Sequence, residues 1–485
     1  MESSARTLRE SALAELATAI GCGTLRSEAQ RAARRVIASG GGDLRACASC
    51  SRVLHDQLHS GSWHDAPDAA RGALAAVQSL QCASLIAAGH GAAALRAGDV
   101  GLLLGGPGAV PGLAACLEAV HDRLVGPVGA GSGGASADGR GLPSEASPSG
   151  GRLPSTVAVA RIGPGTALSR FRDLYFEPQL PVLIGAGSLE HWPARGAGAR
   201  SWRRPGRLWR ALALRHVPVE EGRSYASDRW RQRLMLGGTF LRESGLDEGT
   251  DPADTAALAA AGEPPSCPAV ALGESSPGLP EARTAQDRAA AQPEAPATRT
   301  DASTAQPGHG PVPGPDSAAP PPRTLYLAQH ALLDQAPPRT LYLAQHALLD
   351  QVPSLGADVG TPEQCALSRG GHGRPRRNAW IGPAGTVSDL HTDADDNVLC
   401  QMTGWKRVLL IAPAASASLG ARPGMMKNTS GIDPERLDTR LRLAEAGVAV
   451  EEALLGPGEA LFIPRGWWHH VRALTPSASV SYWWC

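Results

Sequence analysis

The sequence predicts an all-α N-terminal domain followed by a mainly β C-terminal domain, with disordered linkers between and within them. Segments rich in Ala and Leu, with apolar residues at helical spacing, fill residues 1–127. Short β-type runs separated by turns fill most of residues 156–485. The intervening stretches are rich in Gly, Ser, Pro and Ala, a composition that cannot bury an apolar core.

The N-terminal domain is predicted from segments such as SALAELATAI and DAARGALAAVQSLQCASLIAAG, whose apolar residues share one helical face. It contains no catalytic constellation, so its expected role is packing or partner binding. Cys47 and Cys50 form a single CxxC without a second pair nearby, which favours two ordinary thiols over a zinc or redox site. Residues 128–155 are predicted to be a flexible linker.

The C-terminal domain is predicted from the spacing of its strands. VAVARI, PVLIGAG and RHVPVEE come first, followed by NAWIGP, NVLCQM, KRVLLIAP, ALFIPRG, WWHHVRAL and ASVSYWW. Short strands at this spacing are typical of a small antiparallel jelly roll. A low-complexity stretch at about 246–320 interrupts the domain and predicts a disordered surface insertion.

A tandem duplication follows the insertion. PPRTLYLAQHALLDQ occurs at 321–335 and again, unchanged, at 337–351. A structural repeat would have diverged, so the identity indicates a recent duplication or a gene-model error. The second copy runs directly into the β domain, so we assign Tyr342 rather than Tyr326 to the fold.

Composition restricts the class of protein. The formal net charge is zero, which argues against a broad electrostatic grip on nucleic acid. Nine irregularly spaced cysteines do not form a disulfide framework. The first residues carry acids among apolar positions, unlike a signal peptide, and no apolar run reaches membrane-spanning length. We therefore expect a soluble intracellular protein with no membrane partner and no direct nucleic-acid partner.

A candidate metal site begins at His391-Thr392-Asp393. Residues two apart on a strand face the same side, so an imidazole and a carboxylate would lie together. A second histidine from a later strand would complete a two-His-one-carboxylate site, which leaves positions open on Fe(II). His469 and His470 are both candidates, and strand parity alone does not choose between them. The alternative is that both are ordinary strand histidines, one buried and one exposed.

Lys406 is the third candidate element. The chain has only two lysines, Lys406 and Lys427, and Lys406 begins the predicted strand KRVLLIAP. A buried carboxylate such as that of 2-oxoglutarate needs a paired cation. The alternative is an exposed lysine at a hairpin.

Two segments carry a family resemblance. NAWIGPAGTVSDLHTDADDNVLCQMTGWKRVLLIAP and LFIPRGWWHHVRALTPSASVSYWW resemble the jumonji-C oxygenases, with similarity over roughly 156–245 and 337–485. The resemblance implies a cupin-like double-stranded β-helix, Fe(II), 2-oxoglutarate as co-substrate, dioxygen, and a nuclear or cytoplasmic location. It implies iron ligands at His391, Asp393 and His469, since the family's second histidine follows a Trp.

The resemblance also implies positions for the co-substrate and the substrate. The residues that fall on 2-oxoglutarate-binding positions are Tyr342, Ser388, Asn397 and Lys406. Those that fall on the peptide-substrate groove are Glu220, Tyr225, Trp230 and Trp380. His470 replaces an aromatic residue of the family pattern.

The resemblance implies a dioxygenase that acts on a protein or histone peptide. Hydroxylation of an arginyl residue is favoured, because the Glu220 carboxylate in an apolar groove would pair with a guanidinium. Demethylation of histone methyl-lysine is the alternative. Two alternatives belong to another functional class: a non-catalytic β-barrel binding module, and a scaffold whose helical domain recruits protein partners. The complete ligand set, with Lys406 and Asn397, argues against the module.

Overall fold

The computed structural model describes residues 2–59, 67–106, 108–126, 151–222, 231–246, 341–370 and 373–485. Most of the predicted linker 128–155 lies outside these ranges. So do the predicted insertion 246–320, apart from its first residue, and the first copy of the duplicated segment.

The described residues of the N-terminal region form six helices, in agreement with the prediction: α1 (Glu2–Gly21), α2 (Ser27–Ala38), α3 (Leu44–His59), α4 (Asp68–Ala87), α5 (Gly91–Gly105) and α6 (Leu113–Val125). In α1 and α2 the buried positions recur every three or four residues, so each of these two helices presents one apolar stripe, whereas α4 is buried on most of its faces. α5 lies close against α4 at Gly105, where an added Cβ would meet the Ala75 Cβ at 2.3 Å. The closeness of this pair therefore depends on a residue without a side chain.

The CxxC cysteines lie on α3. Cys47 and Cys50 are both free and fully buried. Burial raises the pKa of Cys47 to about 11 and that of Cys50 to about 12. Since the thiolate is the form that reacts and binds metal, both behave as packing residues.

The β region has fourteen strands among the described residues. They are β1 (Val157–Ala158), β2 (Arg161–Ile162), β3 (Val182–Ile184), β4 (His216–Glu221), β5 (Arg231–Leu236), β6 (Leu341–His346), β7 (Arg376–Gly382), β8 (Val387–Thr392), β9 (Asp396–Thr403), β10 (Lys406–Ile411), β11 (Glu451–Leu455), β12 (Ala460–Ile463), β13 (Trp468–Ala473) and β14 (Ser477–Trp484). The runs predicted as strands all lie within or overlap these strands.

Short helices connect the strands. They are α7 (Leu168–Phe171), continued by a π-helical turn at Arg172–Phe176, α8 (Pro205–Leu212), α9 (Gly237–Glu243), α10 (Leu348–Gln351), α11 (Pro353–Gly356) and α12 (Leu437–Glu445). Three 3₁₀ turns lie at Glu363–Ala366, Pro413–Ser418 and Gly424–Met426. None of the helices that the structure describes is long and apolar enough to cross a membrane.

The strands form two sheets. The smaller has the order β1-β11-β10-β13-β8, and the larger has the order β2-β3-β12-β9-β14-β7-β6-β4-β5. Pairing is antiparallel except between β1 and β11 and between β2 and β3. One buried cluster joins side chains of both sheets, including Val408 and Leu410 from the smaller sheet and Leu399 and Leu461 from the larger. The β region is therefore two antiparallel sheets closed over a shared core, as the strand spacing predicts.

A second core connects the helical region to the larger sheet. One continuous cluster includes Leu102 of α5, Leu117 of α6, Val217 of β4 and Val398 of β9. Asp99 of α5 adds a buried ion pair to Arg215, which directly precedes β4. The helical region therefore packs on the opposite face of the larger sheet from the core shared by the two sheets.

Candidate metal centre and co-substrate pocket

A pocket opens between the two sheets. Its polar lining includes His391, Asp393, His469, Asn397 and Lys406. Apolar side chains complete the walls, among them Trp380, Leu399, Ile463 and Val471. The sequence-predicted metal and 2-oxoglutarate residues thus converge on one cavity.

The two histidines face each other across neighbouring strands. His391 of β8 and His469 of β13 are direct partners in the ladder. Their ring centroids lie 4.1 Å apart. Strand parity alone could not choose between His469 and His470. The pairing of β8 with β13 places His469 in the pocket with His391.

Asp393 completes the cluster from a turn rather than from a strand. β8 ends at Thr392, so the expectation that His391 and Asp393 share one strand is wrong by one residue. The chain turns there towards β9, yet the carboxylate still meets both rings. Its oxygens lie 3.9 Å from His391 Nε2 and 3.5 Å from His469 Nε2.

Hydrogen bonds fix the orientation of both histidine rings. His391 Nδ1 lies 2.6 Å from the Asp389 carbonyl oxygen, and His469 Nδ1 lies 3.0 Å from that of Trp467. A carbonyl only accepts, so each Nδ1 donates and each Nε2 is left facing the pocket, where a neutral ring offers its lone pair to a metal. Burial, followed by the neighbouring His391, lowers the pKa of His469 to about 4.

The carboxylate is held in its ionised form. Burial alone would raise the pKa of Asp393, but the two histidines and two hydrogen bonds outweigh it and lower the pKa. Trp483 Nε1 donates to Asp393 Oδ2 at 2.8 Å, and Asn397 Nδ2 donates to the same oxygen at 3.3 Å. The three candidate ligand atoms lie within 4.8 Å of one another. Two imidazole nitrogens and one carboxylate oxygen are a donor set that suits Fe(II).

Lys406 occupies the same pocket at the start of β10. Its side chain is buried, and Nζ donates to Ser479 Oγ at 2.6 Å. Burial lowers its pKa to about 7, and no charge in the described part of the chain offsets that effect. A buried ammonium with a single hydroxyl partner is suited to a carboxylate ligand. The alternative of an exposed hairpin lysine does not describe this residue.

The other predicted 2-oxoglutarate residues also line the pocket. Tyr342 of β6 is buried, and burial, then the charge of Glu220, raises its pKa. Ser388 of β8 lies on the wall below it. Asn397 keeps its Oδ1 atom buried without a hydrogen-bond partner in the described residues. A buried hydrogen-bond acceptor therefore lies next to the candidate metal ligands and is available to a bound molecule.

Comparisons with known proteins agree with this geometry. Residues 315–485 match a family described as cupin-like domain, and residues 24–128 match one described as KDM8-like, N-terminal ARM repeats. Lysine-specific demethylase 8 of Danio rerio is 42% identical over 319 residues, 66% of this chain and 56% of that protein. The chain carries a cupin-like JmjC domain behind KDM8-like ARM repeats.

Two further relatives extend the comparison. Jumonji C domain-containing protein 5 of Drosophila melanogaster is 29% identical over 320 residues, 66% of this chain and 58% of the relative. Lysine-specific demethylase JMJ30 of Arabidopsis thaliana is 26% identical over 488 residues, 93% of this chain and 88% of the relative. Against lysine-specific demethylase 8 of Xenopus tropicalis, the match spans 51% of the relative's length.

Of the predicted substrate residues that the structure describes, Trp380 lines the pocket and Glu220 does not. Trp380 lines the JmjC pocket, with its ring 6.0 Å from that of Tyr342. Glu220 of β4 is buried and pairs with Tyr342 across the strands, but it does not line the pocket. Tyr225 and Trp230 lie outside the described residues.

His470 has a different role from its neighbour. It is buried on the opposite face of β13, with Nε2 3.7 Å from Glu435 Oε2. Arg472 pairs with the same carboxylate. Burial opposes ionisation of Glu435, yet the neighbouring His470 and Arg472 lower its pKa to about 2. His470 thus belongs to a polar cluster with Glu435 and Arg472 on the outer side of the smaller sheet.

Sequence reasoning missed the contribution of β14. Trp483 donates to Asp393, and Ser479 accepts from Lys406. Ser481, which also lines the pocket, accepts from Trp380 Nε1 at 3.0 Å. The signal was present, because alternate residues of SASVSYWW face one side of a strand.

Proposed function

We propose that this chain is an Fe(II)- and 2-oxoglutarate-dependent oxygenase that acts on a protein side chain. The observation that carries the proposal is the cluster of His391, Asp393 and His469 in one pocket with buried Lys406. In this proposal the three residues hold the metal, and Lys406 with Tyr342 holds the distal carboxylate of 2-oxoglutarate. Ser388 and Asn397 are the remaining co-substrate contacts that we propose.

The metal, when bound, couples the oxidation of substrate to the oxidative decarboxylation of 2-oxoglutarate with dioxygen. The protein's part is to hold and orient. Trp483 and Asn397 fix the Asp393 carboxylate, and two backbone carbonyls fix the imidazoles. Apolar side chains such as Leu399 and Ile463 limit water around the reacting groups.

The reaction that we place first is removal of methyl groups from protein lysine. The printed names of the Danio rerio and Arabidopsis thaliana relatives, both lysine-specific demethylases, favour it over the arginyl hydroxylation predicted from sequence. Hydroxylation stays as the second candidate, because Glu220, although it does not itself line the pocket, pairs with Tyr342 across the strands and places an acidic group behind the pocket wall. We also propose that the ARM repeats bind a protein partner.

The test is succinate release by the full chain with Fe(II), ascorbate and 2-oxoglutarate. We expect turnover in the wild type, loss in His391→Ala and His469→Ala, and retention in His470→Ala. The last variant is a matched control, since it removes the adjacent histidine of the same strand. Equal turnover in His391→Ala and the wild type would contradict the proposal. Absence of both turnover and bound iron in every form would favour a binding module.

Mass spectrometry of treated peptides separates the two reactions. A methyl-lysine peptide that loses methyl groups supports demethylation. An arginine peptide that gains one oxygen atom and keeps its methyl groups supports hydroxylation.

A further inference from the structure

A buried hydrogen-bond network connects the ARM-repeat helices to the strand that carries Tyr342. It begins at Asp99 of α5, which is completely buried. Asp99 Oδ1 accepts from Arg215 Nη2 at 2.7 Å and Nε at 3.0 Å, and Oδ2 accepts from the His216 backbone N–H at 2.7 Å. One charged group and one backbone donor of the JmjC side are thereby bound to a single helical residue.

Gln351 extends the network from Asp99 to His346. Its Nε2 donates to Asp99 Oδ1 at 2.7 Å and to the His216 carbonyl at 2.8 Å. Both partners only accept, so the orientation of the amide is fixed and Oε1 points the other way. There Oε1 lies 2.6 Å from His346 Nε2, which must donate. Burial lowers the pKa of His346, consistent with a neutral ring that carries its one proton on Nε2.

His346 is the last residue of β6, and Tyr342 lies near the start of the same strand. The ladder between β6 and β7 is interrupted, with a register shift between Leu343 and His346. Such a shift disrupts the ladder locally, so the His346 end of β6 is less firmly positioned by backbone pairing than the Tyr342 end, which pairs with Glu220 of β4. The side-chain bond from Gln351 to His346 therefore helps to determine where β6, and with it Tyr342, lies in the pocket.

We propose that Asp99 and Gln351 are positioning residues through which the ARM-repeat region sets the affinity of the JmjC pocket for 2-oxoglutarate. The inference rests on the proposed function, since it assumes that Tyr342 contacts the co-substrate. Neither residue lines the pocket, so their effect passes through His346 and the backbone of β6.

The test uses the full chain with Gln351→Met, which removes the link to His346 and leaves the Asp99–Arg215 ion pair in place. Of the three hydrogen bonds that this change removes, one reaches β6, so we expect the KM for 2-oxoglutarate to rise about 3- to 10-fold, with kcat changed less than about 2-fold. The matched control is Glu118→Ala. Glu118 accepts from the Ser354 backbone N–H at 2.6 Å, another contact of the helical region that does not include β6.

Glu118→Ala should lower the melting temperature without changing the KM for 2-oxoglutarate. His346→Phe breaks the same link from the other end, and it decides the matter if Gln351→Met does not fold. An unchanged KM in the folded link variants, or an equal rise in Glu118→Ala, would overturn the inference. Absence of succinate release by the wild type would refute the proposed function before any variant is compared, and the inference would fall with it.

Discussion

Replacing Lys406 with Met should strengthen the folded protein and weaken co-substrate binding at the same time. Burial lowers the Lys406 pKa from 10.5 to about 7. At about 1.4 kcal/mol per pKa unit, the buried charge costs at most about 5 kcal/mol. Met has a similar volume and no charge, so this cost is removed. Ser479 loses its hydrogen-bond donor, however, which reduces the stabilisation by about 1 kcal/mol. We expect a net stabilisation of at most about 4 kcal/mol near neutral pH.

Lys406→Met should weaken the binding of 2-oxoglutarate although it stabilises the folded protein. A charge-assisted hydrogen bond contributes about 1.5–3 kcal/mol, so the KM for 2-oxoglutarate should rise at least about 10-fold in Lys406→Met. Thermal unfolding with and without 2-oxoglutarate, together with succinate release, measures both effects. Lys427→Met is the matched control, because Lys427 is the chain's other lysine and is exposed. A lower melting temperature in Lys406→Met, or an unchanged KM, would refute the reasoning.

The same pKa shift predicts a pH dependence. Between about pH 7 and pH 10.5 the unfolded chain holds the Lys406 proton and the folded chain does not, so this group makes stability rise with pH. The advantage of Lys406→Met should therefore shrink as pH rises above 7. Affinity for 2-oxoglutarate should fall over the same interval, because binding then requires uptake of a proton. Wild-type affinity that is constant from pH 7 to pH 9 would contradict this assignment.

Two further substitutions test the surroundings of the candidate metal. Trp483→Phe removes the donor to Asp393 while keeping the ring, and should lower Fe(II) affinity about 10- to 100-fold in a metal titration. Trp484→Phe is the control, because the Trp484 indole donates to a backbone carbonyl away from Asp393, and this change should leave the Fe(II) affinity unchanged. An equal fall in Fe(II) affinity in the two variants would refute the role of Trp483. His470→Phe should cost about 1 kcal/mol of unfolding free energy through Glu435 and leave Fe(II) bound. Loss of Fe(II) from His470→Phe would show that the wrong histidine has been assigned.

The strand spacing and the ligand motifs were readable from sequence because both are local patterns. HTD and the His469-His470 pair predicted a metal cluster, and a lysine in a chain almost without lysine pointed to an anion. The choice between the adjacent histidines required the ladder that pairs His469 with His391, and such a register is set by long-range pairing.

The contact between the helical and β regions could not be predicted in the same way. Asp99 lies in the apolar helical segment GAAALRAGDVGLLLG, and its partner Arg215 lies more than a hundred residues further along the chain. One sequence without an alignment gives no pattern that connects the two residues. The acid within an apolar helix was the available signal that a buried cation must lie nearby.

The order of strands in the larger sheet has a consequence for how the protein folds. β14 comes last in sequence among the described strands, yet it lies between β9 and β7. Until β14 arrives, β7 and β9 each present an unpaired edge, and an edge of that kind invites association with other chains. Pairings such as Ser477 with Gly382 join residues nearly a hundred positions apart, which slows closure of the sheet. Recombinant production should therefore benefit from low temperature and chaperones, which protect these open edges during synthesis.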